Sequence, residues 1–468
     1  MFDAHDVENY RDLFIGTDTL VPLLNGNSRM YVNLDNAAST PPMNSVRQAV
    51  DNFLPYYSSV HRGTGYKSQI STHVYENARS AVLGFVNANP DQHTCIFGKN
   101  TTEAINKLAR RFPFSSERDV VFTTMMEHHS NDLPWRDVAH TVHIGVDKDG
   151  RLDERDLQEK LEIYNERIAL IAITGATNVT GYINPIHQIA EQAHVAGAMI
   201  LVDAAQLAPH RRVDMRTLDD PGHLDFLVIS AHKMYAPYGT GALVGRKDVF
   251  NQGAPDVTGG GTVMIVTVDD VVWATAPDRD EAGSPNTVGA VALAAAIRQL
   301  GSIGMDNVAR HEANLTAYAL DKLNQLEAIR IYGDKDPANS IDRIGSIPFE
   351  LEGMSHFKLA AILGYEYGIG VRSGCFCAHP YLLQLLDVTG EEAELTRSRM
   401  QAGDKTEMPG LVRMSFGLYN TRKDVDALFE ALVDVIDGKY QGEYQQDRAS
   451  GEYYPQGWQP DFDRYFKI

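Results

Sequence analysis

Residues 227–245 read LVISAHKMYAPYGTGALVG, and this stretch decides the fold. An apolar run ends at Ser230, His232 and Lys233 and is followed by small residues and glycines, as at the carboxyl end of a strand buried on both faces. Most lysines are surface charges. Among these apolar neighbours the amine of Lys233 would lose hydration and its pKa would fall, which makes it a candidate neutral nucleophile able to form a Schiff base. Working outward, HTCIFG (93–98), DVVFTT (119–124), RIALIAIT (167–174) and AMILVDAA (198–205) alternate with longer segments of helical period. That alternation predicts an α/β fold, a mostly parallel sheet between helices, with ligands gathered beyond the carboxyl ends of its strands.

Two further segments put chemistry at such strand ends. In MILVDAAQLAPH (199–210), Asp203 closes a buried strand and Gln206 follows it. A carboxylate there calls for a cationic partner such as a protonated ring nitrogen; taken alone, Asp203 also reads as a helix cap or loop acid. In IFGKNTTEAINKLARR (96–111), a strand and a glycine turn lead to Asn100, Thr101, Thr102 and Glu103 at the start of a helix. Free N–H groups at such a start bind anions, although Asn100 and Glu103 equally suit an ordinary capping box.

The whole chain sets the outer bounds. Its 468 residues carry 42 Lys+Arg against 62 Asp+Glu, a formal net charge of −20, which argues against nucleic acid as a partner. The cysteines, Cys95, Cys375 and Cys377, give no disulfide framework and suggest a reducing, cytoplasmic setting; they also make a poor metal site. No apolar run approaches a membrane span, and the start, MFDAHDVENYRDLF, has no leader pattern. We expect an N-terminal segment (1–30) packing with the small domain, a large domain (31–288) and a smaller α+β domain (289–440). Polar residues 385–410 would insert a mobile loop or helical hairpin, and an aromatic tail (441–468) would pack as extended chain on the body or a partner subunit.

The chain resembles the fold-type I, class V aminotransferase-like enzymes dependent on pyridoxal phosphate, most of all the SufS-type cysteine desulfurases and their selenocysteine lyase relatives. The segments that carry the resemblance run from YVNLDNAASTPP (31–42) through SVHRGTGYKS, MMEHHSNDLPWR, TNVTGYINPI, EAGSPNTVG and VRSGCFCAHP to VRMSFGLYNT (412–421). It implies that Lys233 holds the cofactor as a Schiff base, Asp203 pairs with the pyridinium nitrogen, Gln206 meets the phenolic oxygen and His128 stacks on the ring. Thr101, Thr102, Ser230 and His232 would hold the phosphate, with Asn178 beside cofactor and substrate. Ser284 would reach the phosphate of a neighbouring subunit, which requires a homodimer with shared sites. Arg413 and Arg372 would bind the substrate carboxylate, with His61 and Asn178 as further substrate contacts. Cys377 falls at the desulfurase nucleophile position, where it would take sulfur from L-cysteine as a persulfide, leave L-alanine and pass the sulfur to an acceptor protein; only a thiolate attacks competently. His128, with an ordinary pKa near neutrality, is the expected proton carrier.

Two features depart from the pattern. The stretch between Arg372 and Arg413 is about twice the expected length, the excess being residues 385–410. Cys375 stands where cysteine is unusual, and GCFC also resembles the pair in molybdenum cofactor sulfurases. Alternative readings are another class V enzyme, namely a C–S lyase, selenocysteine lyase, epimerase or aminotransferase for a specialised amino acid, or a sulfur carrier without turnover.

Overall fold

The computed structural model describes residues 10–61 and 63–468. Residues 1–9 of the N-terminal segment expected to pack with the small domain lie outside them. The central sheet has seven strands: β1 (His93–Gly98), β2 (Val120–Thr124), β3 (His140–Ile144), β4 (Ile168–Thr174), β5 (Met199–Asp203), β6 (Phe226–Ser230) and β7 (Gly241–Arg246). Their spatial order is β1-β7-β6-β5-β4-β2-β3, with β7 antiparallel to both neighbours and the other pairings parallel. Every residue of β2, β4 and β6 is buried, because helices cover both faces. Successive side chains alternate between two cores: Ile171, Ile173, Ile200 and Val202 enter one, Leu170, Ala172 and Leu201 the other. Each of these isoleucine, leucine and valine side chains contributes roughly 1.5–3 kcal/mol by burial.

The reversed strand β7 draws the phosphate-type loop onto the sheet. Gly241 pairs with both Gly98 and Ser230. A Cβ on it would come within 2.6 Å of the Asn100 backbone, so only glycine lets that helix start approach.

A four-stranded antiparallel sheet, ordered Ile329–Ile331, Ser346–Leu351, Leu411–Ser415, Arg372–Gly374, forms the smaller domain with helices His356–Tyr367 and Arg422–Ile436. The large core runs past the boundary expected at residue 288, as far as Val308. The helix Thr287–Ile303 is apolar on nearly every side, so Ala290, Leu293, Ala296 and Leu300 pack in the large core; the next helix, Met305–Leu323, departs at 78°. At the other end, Val32 and Leu34 belong to the small-domain core, with Val32–Asn33 pairing with Ile369–Gly370. No single helix among the described residues is long and apolar enough to cross a membrane.

The insertion is one helix, Gly390–Gln401, closed at its start by a Thr389/Glu392 capping box, rather than a loop or helical hairpin. The tail folds back as a small hairpin, Tyr444–Gln446 with Tyr453–Pro455, and grips the insertion. Gln446 Nε2 donates to Thr406 O, Lys405 N to Arg448 O, and Arg448 pairs with Asp404.

Candidate active site

A cavity of about 570 Å³ opens beyond the carboxyl ends of β2, β4, β5 and β6. Its floor comes from strand ends: Thr174, Asp203 with Gln206 just after, Ser230, then His232 and Lys233. Lys233 is half-buried at the cavity floor, and loss of hydration brings its amine down to about 8 against the opposing attraction of Asp203. Burial pushes the Asp203 carboxyl up, with the Ala205 N–H and Lys233 opposing. An aspartate so placed gains from a further cation held against it.

One side of the cavity is the start of the helix Thr101–Arg111, capped by Asn100 Oδ1 accepting from Glu103 N at 3.0 Å. Thr101 Oγ1 and Ser230 Oγ are buried without a hydrogen-bond partner, and both residues line the cavity beside Thr102 and His232. Unpaired donors grouped at a helix start make an anion cradle. Burial, then the charge of Lys233, lowers His232 to about 4.

His128 follows β2 in the turn Glu127–Asn131. Its Nδ1 accepts the Ser130 N–H at 3.1 Å, and Ser130 Oγ also meets Thr102 Oγ1 at 2.7 Å. Burial, then Lys233, pushes His128 down to about 3. The expected proton carrier is therefore a neutral ring, and the reason is desolvation. Glu127 went unnoticed in the sequence although it precedes His128. Fully buried, it accepts from Thr124 Oγ1, Asn131 Nδ2 and Thr174 N and so fixes the turn, and burial raises its carboxyl to about 8.

The opposite wall belongs to the small domain. Arg372 and Arg413 face each other across their strand pair, where like charges repel; Asp35 bridges them, with 3.0 Å to each. Arg413 also donates to Asn178 O, lies 4.9 Å over the Phe376 ring, and keeps its buried Nε unpaired. Asn178 Nδ2 donates to Phe376 O at 2.7 Å. Phe376 and Cys377 both take left-handed backbone, with φ of 53° and 56°. Cys377 is exposed at the cavity; Cys375 is buried, donates to Pro409 O and is pushed up to about 12 by burial. Cys95 lies in β1 and does not line the cavity.

Lys233, Asp203, Gln206, His128, Thr101, Thr102, Ser230, His232, Asn178, Arg372, Arg413 and Cys377 thus share one cavity. Ser284 and His61 do not; they line a separate cavity of about 600 Å³ together. Met400, Lys405 and Met408 of the insertion reach the main cavity, with no local sequence signal to announce them. The arrangement suits a ligand with a carbonyl for Lys233, a cation for Asp203, and an anion for the helix start, beside a nucleophilic thiol.

The aminotransferase class-V family profile matches residues 32–428, and the chain belongs to that family. Within it, the chain is 36% identical over 438 residues to a probable cysteine desulfurase of Halalkalibacterium halodurans, covering 92% of this chain and 97% of the relative. It is 34% identical over 409 residues to a cysteine desulfurase of Haloferax volcanii, covering 86% and 88%. Among solved structures, the apo cysteine desulfurase of Thermococcus onnurineus superposes with a TM-score of 0.76 at 30% identity, over 94% of this chain and 99% of that one. The Escherichia coli cysteine desulfurase CsdA, in an S-sulfonic acid form, gives 0.74 at 28%, over 93% and 99%.

Proposed function

We propose that this protein is a pyridoxal phosphate-dependent cysteine desulfurase that converts L-cysteine to L-alanine and keeps the sulfur as a persulfide on Cys377. The observation that carries the reading is an exposed thiol in the same cavity as a desolvated lysine and a buried aspartate. The residues fit the cofactor. The unpaired Thr101 and Ser230 hydroxyls, with Thr102 and His232, suit its phosphate, and Asp203 its ring nitrogen. When bound, pyridoxal phosphate supplies a sink for the electron pair left at Cα.

The chain's own residues do the rest. Arg413 offers its unpaired Nε to the substrate carboxylate, with Arg372 as second cation. Lys233, its amine brought near neutrality, moves the Cα proton. The Cys377 thiolate attacks the substrate sulfur, forming an S–S bond as the C–S bond breaks. His128 stays neutral; its Nδ1 accepts from Ser130 N, so Nε2 carries the ring proton and can only donate. Cys377 lies exposed, within reach of an acceptor thiol.

The enzyme works as a homodimer with shared sites. In support, His61 and Ser284 line a cavity of their own beside the hairpin Val263–Val266/Val271–Trp273, whose Met264 is 72% and Val268 fully exposed, an apolar surface suited to a second copy. Sedimentation at micromolar concentration should give a dimer; a monomer with full activity overturns this part.

The main test is mass spectrometry of Cys375 and Cys377 after L-cysteine under non-reducing conditions. A persulfide on Cys377 with equimolar alanine is expected. One on Cys375 reassigns the nucleophile, and none on either rejects the desulfurase reading.

A further inference from the structure

The desulfurase reading needs a thiolate at Cys377, and His128, with its ring proton already on Nε2, cannot accept the thiol proton. Another histidine lies two residues beyond the thiol. His379 borders both the site cavity and a second, largely apolar cavity of about 460 Å³ between Cys375 and the inserted helix. Its Nδ1 is 3.0 Å from His129 Nε2, with the two rings parallel to within 5°. Two ring nitrogens at that distance share one proton. The His379 backbone N–H decides which nitrogen owns it: it approaches the same His129 Nε2 at 3.3 Å and can only donate. His129 Nε2 is therefore the acceptor and His379 Nδ1 the donor, which leaves the lone pair of His379 on Nε2. The His129 backbone N–H also donates to Cys377 O at 2.8 Å, so one residue fixes both the turn that carries the thiol and the tautomer of His379, which lines the same cavity.

We propose that His379 takes the Cys377 thiol proton through Nε2, and that His129 is the positioning residue that keeps His379 in the tautomer able to do so. The proton leaves Sγ, the sulfur keeps the electron pair, and Nε2 gains the proton. The proposal rests on the desulfurase reading for the use made of the thiolate, not for the proton transfer. The charged groups facing this loop are Arg372 and Arg413, both held by Asp35, on the site side, and Lys405 and Arg397 on the insertion side. Burial lowers both His129 and His379, so the imidazolium lasts only as the partner of the thiolate it has made. Behind His129, Asp132 is already engaged by Arg136 and His143. Cys375 is the other titratable group on the loop.

The test is the rate at which iodoacetamide labels Cys377 in the holoenzyme without substrate, read by site-resolved mass spectrometry from pH 6 to 9.5. His379→Gln should slow labelling about tenfold at pH 7 and converge with the wild type above about pH 9, where thiols ionise unaided. His129→Phe, which keeps a ring but no acceptor, should slow it about threefold. The cofactor absorbance reports that each variant is folded; if His379→Gln loses it, His129→Phe decides. Variant profiles that overlay the wild type at every pH overturn the proposal. Because no substrate is present, this result stands apart from whether a persulfide forms.

Discussion

Asp203 and Ser230 end buried strands and Lys233 lies one turn beyond the second, whereas Cys377 sits in a turn where two consecutive non-glycine residues take left-handed backbone. The first group inherits its geometry from sheet register. The second is imposed by contacts distant in sequence: Asn178 Nδ2 on Phe376 O, the His129 N–H on Cys377 O, and Arg413 over the Phe376 ring. Left-handed backbone costs about 1–2 kcal/mol per residue, so the turn holds only while those contacts do. The difference separates two tasks. The floor must hold a cofactor rigidly, while the thiol must reach a substrate sulfur and later present it outward.

The largest expected effect breaks the floor. Lys233→Ala should cut alanine formation by at least about a thousandfold and remove the visible cofactor band together with it. Cys377→Ser should cut alanine formation by about a hundredfold or more yet leave that band unchanged. Loss of the band in both would mean that floor and wall are not separable.

The pH dependence of cofactor uptake by the apoenzyme sharpens the same contrast. With the Lys233 amine lowered to about 8, the neutral amine is a minority at pH 7 and dominates by pH 9. Uptake should therefore rise about tenfold over that interval and then level off, measured by absorbance. An amine at its usual value near 10.4 would give a rate still climbing at pH 10.

The floor was legible because each of its side chains lies within three residues of an apolar run that is hard to read as anything but a strand. The arginine pair and Cys377 were legible through motif alone; nothing in the sequence shows that Asp35 spans the strand pair to hold Arg372 and Arg413 together. His128 is legible by motif, but the lowering of its pKa is not, since burial and the Lys233 charge exist only in the folded chain. His61 and Ser284 share a cavity of their own in the single chain, and their reach toward a neighbouring site stays a proposal. The apolar helix Thr287–Ile303 was assigned to the wrong domain because composition shows that a helix is buried but not against what. The insertion was hardest. Its helix has no buried residue, and Met400, Lys405 and Met408 reach the cavity from a segment gripped by the tail some 40 residues further on.

That grip yields the smallest predicted effect. Arg448 pairs with Asp404 at 3.1 Å but is 71% exposed, where solvent screens the pair and leaves it little weight. Arg448→Ala should leave the melting temperature, the cofactor band and kcat unchanged and alter KM for L-cysteine by twofold or less. The backbone bond from Lys405 N to Arg448 O survives the change. Gln446→Ala removes more, because Gln446 Nε2 donates to Thr406 O and Gly451 O at once and ties the insertion to the turn of the tail hairpin. Losing both bonds frees the Lys405–Met408 segment at the cavity mouth, so KM should rise about three- to tenfold with the band still unmoved. The wall then tunes access while the floor keeps the cofactor. A shift of the band in Gln446→Ala would show instead that the insertion reaches through Met400 and Met408 to the cofactor itself, and the two regions would have to be treated as one.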